Sequence, residues 1–492
     1  MNTFKVKDHL SIATLRRRAK LGCVGKLAVV LFLAIVFIIL IGPWPVYRDS
    51  HYQDAPYFKA ALAKIDQCLN RSQLTDKPGP LKAGWAKRVI TPPVGTPMAG
   101  YSDRPNGKRS TGVRDDLFVN AVVLNNGQHM VVLVTADILM TTPNVAEMVW
   151  HEVCGKLPLD ENDILFTSTH THNGPGGLEP GLLPQFSFGK YDPKIPKMIA
   201  DAMVQAIIEA YKKMAPARIA HSKVDAPQFI CNRVHNGATD SLLRFFIIEK
   251  ETGERCYAVR YSAHPTTFKK ADREISAEYP GEICRYIEAK RDAQAIFVGG
   301  AVGAMDPRAP KGPDRSTRVK RMGEALAKLI LDHDGDLDFL TNVALVSVGA
   351  SFGMPPLQIR PLKGSDSFSG SLRLSPLLAK IVGFPLQGRI QAIRVGDMIF
   401  MGLPYDVSGE IAKAWSEEAS KDGCDLWISS HCVPYCGYLS PDAYYWVKPE
   451  KGYYHYNMYY EFRLMNWFGP NQEAMFHDLK DHILQGMAPK KH

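Results

Sequence analysis

The stretch Ile164–Gly177, which reads ILFTSTHTHNGPGG, constrains the fold of this chain more than any other segment. It begins with apolar, β-prone residues and continues into glycine and proline, a pattern that predicts a buried strand running into a tight loop. His170 and His172 stand two positions apart at the end of that strand. Because side chains alternate along a strand, both imidazoles point to the same face. Such a pair can offer two nitrogens to one metal ion, typically zinc, although two ordinary surface histidines would show the same spacing.

Strand and helix patterns alternate around this stretch. Residues 118–137 predict a hairpin that turns at Asn125-Asn126-Gly127, and helical patterns follow at 144–154 and 193–214. The alternation predicts an α/β fold in which layered mixed β-sheets are flanked by helices. Asp137 ends the second strand of the hairpin. It would either cap the following helix or orient a metal-bound histidine, and we favour the second role.

A basic segment and a long apolar run open the chain. Residues 1–26 carry seven Lys or Arg against one Asp, and the uncharged run at 27–41 leads into Gly-Pro-Trp-Pro. With its flanks, this run is long enough to span a bilayer, for which about 20 residues or slightly fewer suffice. The basic residues would hold the N-terminus in the cytoplasm, while Trp44 and Tyr47 would lie at the far interface. Since no clear small-x-small cleavage site follows, we favour an uncleaved transmembrane helix over a cleaved signal peptide or a buried core helix.

These features divide the chain into a basic cytoplasmic segment at 1–26, a transmembrane anchor at 27–44, a polar linker with one short helix at 45–80, and a body at 81–492. The body of such a single-pass protein would lie on the extracytoplasmic side, either periplasmic or extracellular. The chain carries a net charge of +9, and subtracting the +6 of the first segment leaves only about +3, which argues against nucleic-acid binding. The nine cysteines include no Cys-x-x-Cys, so a thiolate zinc site is not expected.

Two segments resemble signatures of the neutral/alkaline, non-lysosomal ceramidase family. Residues 169–177, Thr-His-Thr-His-Asn-Gly-Pro-Gly-Gly, are similar to the family motif Thr-His-Thr-His-Ser-Gly-Pro-Gly-Gly, and residues 84–101 are similar to the family's opening segment. Both matches are long and stand in the family's order, and the resemblance extends over about residues 80–470. It implies a zinc-dependent amidohydrolase that cleaves ceramide or a similar N-acyl lipid with metal-activated water.

The resemblance implies four metal ligands. His170 matches the first histidine of the motif, and His264 matches the family's second zinc histidine. Asp406 stands where the family has a zinc-binding glutamate, so its carboxylate is one methylene shorter. Either the backbone adjusts to this difference or the carboxylate binds differently. Tyr438 matches a tyrosine that is a metal ligand or its neighbour.

Three further residues are assigned to catalysis by the same resemblance. His172, Arg233 and Tyr460 would stabilise the oxyanion or move protons. An arginine suits this task because its guanidinium donates a fixed fork of hydrogen bonds, although a lone arginine more usually forms a surface salt bridge. Asp306 takes the position of a family serine that could serve as a nucleophile, so a serine mechanism is not expected here.

Two regions have no clear counterpart in the family. The apolar part of 374–384 predicts a short packed helix, or else a surface for acyl chains or the membrane. Aromatic residues crowd 444–456, where they would either pack together or bind lipid or sugar. We do not expect the sequence after residue 470 to contain the C-terminal immunoglobulin-like domain that family members often carry. Its oligomeric state does not follow from the sequence.

Two other functions fit the same residues. The protein could hydrolyse another acyl bond, in an ester or an acylated sugar, or it could be a non-catalytic lipid-binding protein on the same fold. A bound zinc with open coordination would favour an enzyme, whereas an empty site would favour the binding protein.

Overall fold

The computed structural model describes residues 23–42, 44–46, 51–72, 76–235, 237–360, 372–445, 457 and 459–488. The predictions for the basic residues of 1–22, for Tyr47 and for the aromatic residues of 446–456 therefore fall outside the described residues.

Ten α-helices occur in the described ranges, and a π-helix spans Tyr459–Met465. The α-helices are α1 (Cys23–Ile41), α2 (Pro56–Ser72), α3 (Pro143–Cys154), α4 (Leu182–Phe188), α5 (Lys194–Lys212), α6 (Glu278–Lys290), α7 (Arg315–Leu331), α8 (Pro376–Val382), α9 (Gly409–Lys421) and α10 (Gln472–Met487). Short 3-10 helices lie at Tyr52–Asp54, Asn106–Lys108, Pro227–Phe229 and Asp442–Tyr444.

The strands form two main sheets and several two-stranded pairs. In chain order they are β1 (Trp44–Pro45), β2 (Gly79–Pro80), β3 (Lys82–Val89), β4 (Gly112–Val113), β5 (Phe118–Asn125), β6 (Met130–Ala136), β7 (Ile164–Ser168), β8 (Ala215–Asp225), β9 (Ile230–Asn232), β10 (Leu242–Lys250), β11 (Arg255–Tyr261), β12 (Glu274–Ile275), β13 (Ala293–Gly299), β14 (Met305–Pro307), β15 (Asn342–Val343), β16 (Leu345–Gly353), β17 (Leu372–Arg373), β18 (Gln387–Val395), β19 (Met398–Gly402), β20 (Asp406–Val407), β21 (Asp425–Ser429) and β22 (Tyr438–Leu439). The large sheet has the order β13-β11-β10-β8-β3-β5-β6-β7, and the small sheet has the order β16-β18-β19-β21.

The two sheets pack face to face, with helices on both outer surfaces. Successive residues of one strand face opposite sides of the sheet. Phe246 of β10 packs in the hydrophobic cluster between the two sheets, whereas Phe245 packs in the cluster under α6 and α7. Helices α3 and α5 cover the rest of the large sheet, and α2, α9 and α10 cover the small sheet. The chain therefore builds four layers, helices–sheet–sheet–helices, and the predicted α/β class with layered mixed sheets is confirmed.

Several local predictions are also confirmed. Strands β5 and β6 form the predicted antiparallel hairpin, and its turn is closed by the Asn126 side chain, which accepts hydrogen bonds from two backbone amides. Helices α3 and α5 stand at the predicted positions, and α8 provides the short helix predicted within 374–384. In the segment predicted as a linker, α2 packs against the body with Phe58, Ala61 and Ile65 buried.

Helix α1 is the one described helix that is long and apolar enough to cross a membrane. None of its window Val24–Ile41 is buried inside the protein, so the alternative of a buried core helix is wrong. A membrane anchor and a signal sequence both agree with an exposed apolar helix at this position.

Strand ends from both sheets meet at one place. His170 follows β7, His264 follows β11, and His431 follows β21, while Asp406 begins β20 shortly after β19. Strands β7, β11, β19 and β21 each have a parallel neighbour, and the carboxyl ends of parallel strands lie at the same edge of a sheet. The topology therefore brings residues far apart in sequence into one site.

Candidate metal centre

Three imidazoles converge at this site. The Nε2 atoms of His170 and His264 are 3.1 Å apart, and the Nε2 atom of His172 lies 3.3 Å from the first and 2.9 Å from the second. Nitrogens bound tetrahedrally to zinc at 2.0–2.1 Å would lie about 3.3 Å from one another. The separations are therefore close to those expected for residues that could hold one metal ion.

The protons of two of these histidines face away from the centre. The Nδ1 atom of His170 donates to the carbonyl oxygen of Leu139 at 2.7 Å, and the Nδ1 atom of His264 donates to that of Val302 at 3.2 Å. Because a carbonyl only accepts and a neutral imidazole has one N–H, their Nε2 atoms present lone pairs to each other. Facing lone pairs repel unless a cation lies between them, so these residues fit a bound metal ion.

Burial keeps this cluster uncharged. It lowers the pKa of His170 to about 3, and it lowers the pKa of both His172 and His264 well below their usual value. The neighbouring imidazoles add to this effect, since a second positive charge would repel the first. The backbone of His170 is left-handed, with φ of 60°, which is uncommon outside glycine and typical of functional sites.

A carboxylate lies beside the histidines. The Oδ1 atom of Asp406 is 3.5 Å from the Nε2 atom of His170 and also accepts a hydrogen bond from His431, while its Oδ2 atom accepts from the Tyr435 hydroxyl at 2.7 Å. Although burial opposes its charge, His431 and His170 hold the pKa of this carboxyl well below its usual range. Asp406 therefore supplies a negative charge and an oxygen beside the three nitrogens.

His431 and Tyr435 are two further residues of the site that were not predicted from the sequence. The ring of His431 stacks on that of His170 with centroids 3.9 Å apart, and its backbone is also left-handed, with φ of 65°. Its Nδ1 atom is buried without a hydrogen-bond partner among the described residues. Because His431 follows β21 as His170 follows β7, the strand-end position was the signal that could have found it.

A second group surrounds Arg233. Its Nε donates to Glu461 at 2.7 Å, its Nη2 to the Tyr438 hydroxyl at 3.1 Å and its Nη1 to Asp306 at 3.3 Å. Burial disfavours the charged guanidinium, but Glu461, Tyr438 and Asp306 outweigh it and raise the pKa of Arg233. The Tyr460 ring lies 5.8 Å from that of Tyr438. This group therefore holds a fixed positive charge between two carboxylates and two tyrosines.

The structure thus distributes the predicted site residues between two adjoining groups. His170, His172, His264 and Asp406 form the nitrogen and carboxylate cluster, whereas Arg233, Tyr438 and Tyr460 form the second group. The two are joined where Asp406 of β20 pairs with Tyr438 of β22. The hydroxyl of Tyr438 is bonded to Arg233, and the roles assigned to all seven residues remain predictions.

The hypothesis for Asp137 is not supported. Its carboxylate accepts a hydrogen bond from the backbone amide of Phe118 at 2.9 Å. The acceptor that orients His170 is instead the backbone carbonyl of Leu139, two residues further along. The residue at the N-cap of α3 is Thr142.

Comparisons with known proteins agree with the sequence motifs. Residues 82–239 match the model of the family described as neutral/alkaline non-lysosomal ceramidase, N-terminal. A neutral ceramidase of Pseudomonas aeruginosa is 28% identical over 237 residues, which cover 44% of this chain and 35% of that protein. A neutral ceramidase of Mycobacterium tuberculosis is 28% identical over 131 residues, covering 25% of this chain and 20% of the relative. The chain therefore matches about a fifth to a third of the length of these curated relatives.

A solved structure extends the likeness in fold. The crystal structure of neutral ceramidase from Pseudomonas aeruginosa superposes with a TM-score of 0.68 and 18% sequence identity, covering 83% of this chain and 74% of that one. At this identity the match concerns the fold. Taken with the family model and the curated relatives, it confirms the resemblance of this chain to the neutral/alkaline non-lysosomal ceramidase family.

Proposed function

We propose that this protein is a membrane-anchored, zinc-dependent amidohydrolase that cleaves the amide bond of ceramide or of a similar N-acyl lipid. The observation that carries the proposal is the convergence of the Nε2 atoms of His170, His172 and His264 beside Asp406, with the lone pairs of His170 and His264 facing each other. The match of residues 82–239 to the ceramidase family model supports the choice of reaction.

In this proposal His170, His264, Asp406 and Tyr438 hold the metal. The two histidines have the arrangement that metal ligands usually show, with the second ring nitrogen bonded to a fixed acceptor. Zinc bound there would act as a Lewis acid and lower the pKa of a water molecule. Unlike the Nε2 atoms of these histidines, the Tyr438 hydroxyl already accepts a hydrogen bond from Arg233 at 3.1 Å.

His172 differs from the other two histidines in a way that suits proton transfer. Its Nδ1 atom is buried without a hydrogen-bond partner among the described residues, so no acceptor fixes its tautomer. Its Nε2 atom nevertheless points at the same centre as the two proposed ligands. An imidazole that can carry its proton on either nitrogen can accept a proton at Nε2 and pass it to a leaving amine.

Arg233 and Tyr460 would act on the carbonyl oxygen of the substrate. Charge develops on this oxygen in the transition state, and a donor already fixed in place stabilises it without reorganisation. Glu461 and Asp306 hold the guanidinium in position from two sides. The hydrogen bond from Nη1 to Asp306 is the longest of the three that Arg233 donates. Nη1 is therefore the nitrogen that can most readily also donate to a substrate oxygen.

A lipid-like substrate is supported by the surface next to His172. Gly100 has φ of 98° and approaches the His172 ring so closely that an added Cβ would lie 2.6 Å from it. The backbone amide of the same glycine donates a hydrogen bond to the carbonyl oxygen of Ser187 in α4. The Leu182 and Phe186 side chains of this helix are exposed. Exposed apolar side chains beside a polar site offer a surface on which an acyl chain can lie.

Anchoring by α1, with the body on the extracytoplasmic side, completes the proposal. The exposed apolar surface of α1 supports it. Protease added to intact cells or spheroplasts is expected to digest the body. Digestion that requires permeabilised cells would show the opposite orientation, and a mature chain that begins beyond α1 would show a cleaved signal sequence.

The decisive test is a substrate screen with metal analysis. The full chain in detergent should release fatty acid from N-acyl lipid amides, lose this activity on chelation, and regain it with zinc. Turnover of esters or acetylated sugars without turnover of amides would identify another acyl hydrolase. Lipid binding without any turnover or bound metal would identify a binding protein.

A further inference from the structure

Helix α8 is attached to the end of α1. The Ser375 hydroxyl, which precedes α8, donates to the carbonyl oxygen of Ile39 at 2.6 Å, and Arg373 donates to that of Pro45 at 2.9 Å. Strand β1 also pairs with β17, so that Trp44 lies opposite Arg373. If α1 spans a bilayer, its end near Trp44 marks the membrane surface, and α8 lies at that level.

One face of α8 is apolar and exposed. Leu377 and Ile381 are 45% and 58% exposed, and because they are four positions apart they lie on the same side of the helix. Ala379 is buried against the body on the other side. Lys380 is exposed beside the apolar face, and Leu386 adds a third exposed aliphatic side chain just beyond the helix. A short helix with an apolar face and a flanking cation is typical of an element that lies in a membrane interface.

The same element connects to the metal centre. The Phe384 ring contacts Trp467 edge to face with centroids 5.0 Å apart, and Trp467 contacts Tyr435 at 5.4 Å. The Tyr435 hydroxyl donates to Asp406. Packed aromatic side chains thus link the end of α8 to the carboxylate of the site.

We propose that α8 lies in the headgroup region of the bilayer, with Leu377, Ile381 and Leu386 inserted toward the acyl chains. This second membrane contact holds the body against the surface in which an N-acyl lipid is dissolved, so the site acts on substrate delivered from the membrane plane. The occupant of the α8 face is therefore phospholipid. The proposal rests on anchoring by α1, but it does not depend on which bond the site cleaves.

The test is lipid photo-crosslinking of the full chain in phosphatidylcholine nanodiscs. A photoreactive p-benzoylphenylalanine replaces Leu377 or Ile381 in turn, and Leu340 provides the matched control because it is 48% exposed. Leu340 lies beside Gly396, at the end of the antiparallel β16–β18 pair opposite to Leu386. A nine-residue strand such as β16 separates these ends by about 25–30 Å. A fourth probe, at Leu33 in α1, reports whether α1 itself is inserted.

We expect lipid adducts at 377 and 381 in severalfold higher yield than at 340, and adducts at 33. Adducts at 33 with no excess at 377 and 381 over 340 would overturn the role of α8 alone. Loss of adducts at all four positions would overturn anchoring by α1 and the α8 proposal with it. None of these outcomes depends on turnover, so failure here is distinguishable from failure of the proposed reaction.

Discussion

Two buried polar clusters lie close together in this protein and differ in one respect. The ionic cluster between the sheets consists of His221, Asp240, Arg244, Arg260 and Asp425, whereas the histidine cluster consists of His170, His172 and His264. In the ionic cluster each charge has an opposite charge beside it. In the histidine cluster three ring nitrogens converge, and those of His170 and His264 present facing lone pairs to each other. Both clusters bury polar groups. Buried polar groups that lack compensating partners, as in the histidine cluster, indicate a ligand site.

The ionic cluster joins the two sheets. Asp240 accepts a hydrogen bond from Ser262 at 2.7 Å and pairs with Arg260. Arg260 of β11 in turn donates to the carbonyl oxygen of Ile428 in β21 at 3.1 and 2.7 Å. Although burial opposes its charge, Arg260 and Arg244 lower the pKa of Asp240. Because Ser262 stands two residues before His264, this network also supports the strand end that carries a proposed metal ligand.

The largest effect is expected when the ionic cluster loses its aspartate. Asp240→Ala leaves the buried guanidinium of Arg260 uncompensated, which should lower the free energy of unfolding by about 3–5 kcal/mol. Chemical denaturation measures the change. The control is Asp201→Ala, which removes an exposed partner of Lys197 and should cost less than about 1 kcal/mol. Equal losses in the two variants would contradict the structural role of the ionic cluster.

Removal of His172 separates proton transfer from metal binding. His172→Ala should reduce turnover about 100-fold or more, as loss of a proton-transfer group commonly does, while the zinc content stays unchanged. The basis is the Nδ1 atom of His172, which lacks the fixed acceptor that His170 and His264 have. Parallel measurements of turnover and of bound metal distinguish the two roles, and zinc loss in this variant would make His172 a third histidine ligand.

A smaller, pH-dependent effect is expected at His221. Burial disfavours the charged imidazole, but hydrogen bonds to Asp397 and Asp425 outweigh it and raise the pKa of His221 to about 9. Since this value exceeds the unfolded value of about 6.5, the stabilisation is complete below pH 6.5 and is lost as pH rises through about 9. After discounting for solvent screening it should amount to about 1–2 kcal/mol.

The measurement for His221 is the free energy of unfolding of the wild type and of His221→Gln between pH 6 and 10. The two curves should converge as pH rises. Curves that stay parallel over this range would show that the charge of His221 does not stabilise the junction between the sheets.

The sequence predicts those features that depend on local pattern. Period-two alternation and the Gly-rich loop placed His170 at a strand end, and helical periodicity located α3 and α5. The strand-end position could have pointed to His431, but its contacts with His170 and Asp406 could not be predicted, because these partners come from distant parts of the chain. Arg260 also escaped prediction, since a charged residue within a strand pattern suggests an exposed face, whereas here it is buried between two sheets.

The metal content of purified protein tests the central claim most directly. Wild-type protein, and a His333→Ala control that changes an exposed histidine hydrogen-bonded to Leu329, should bind about one zinc ion per chain. The double variant His170→Ala, His264→Ala should bind none, with circular dichroism showing that it remains folded. Full zinc occupancy in the folded double variant would contradict the account.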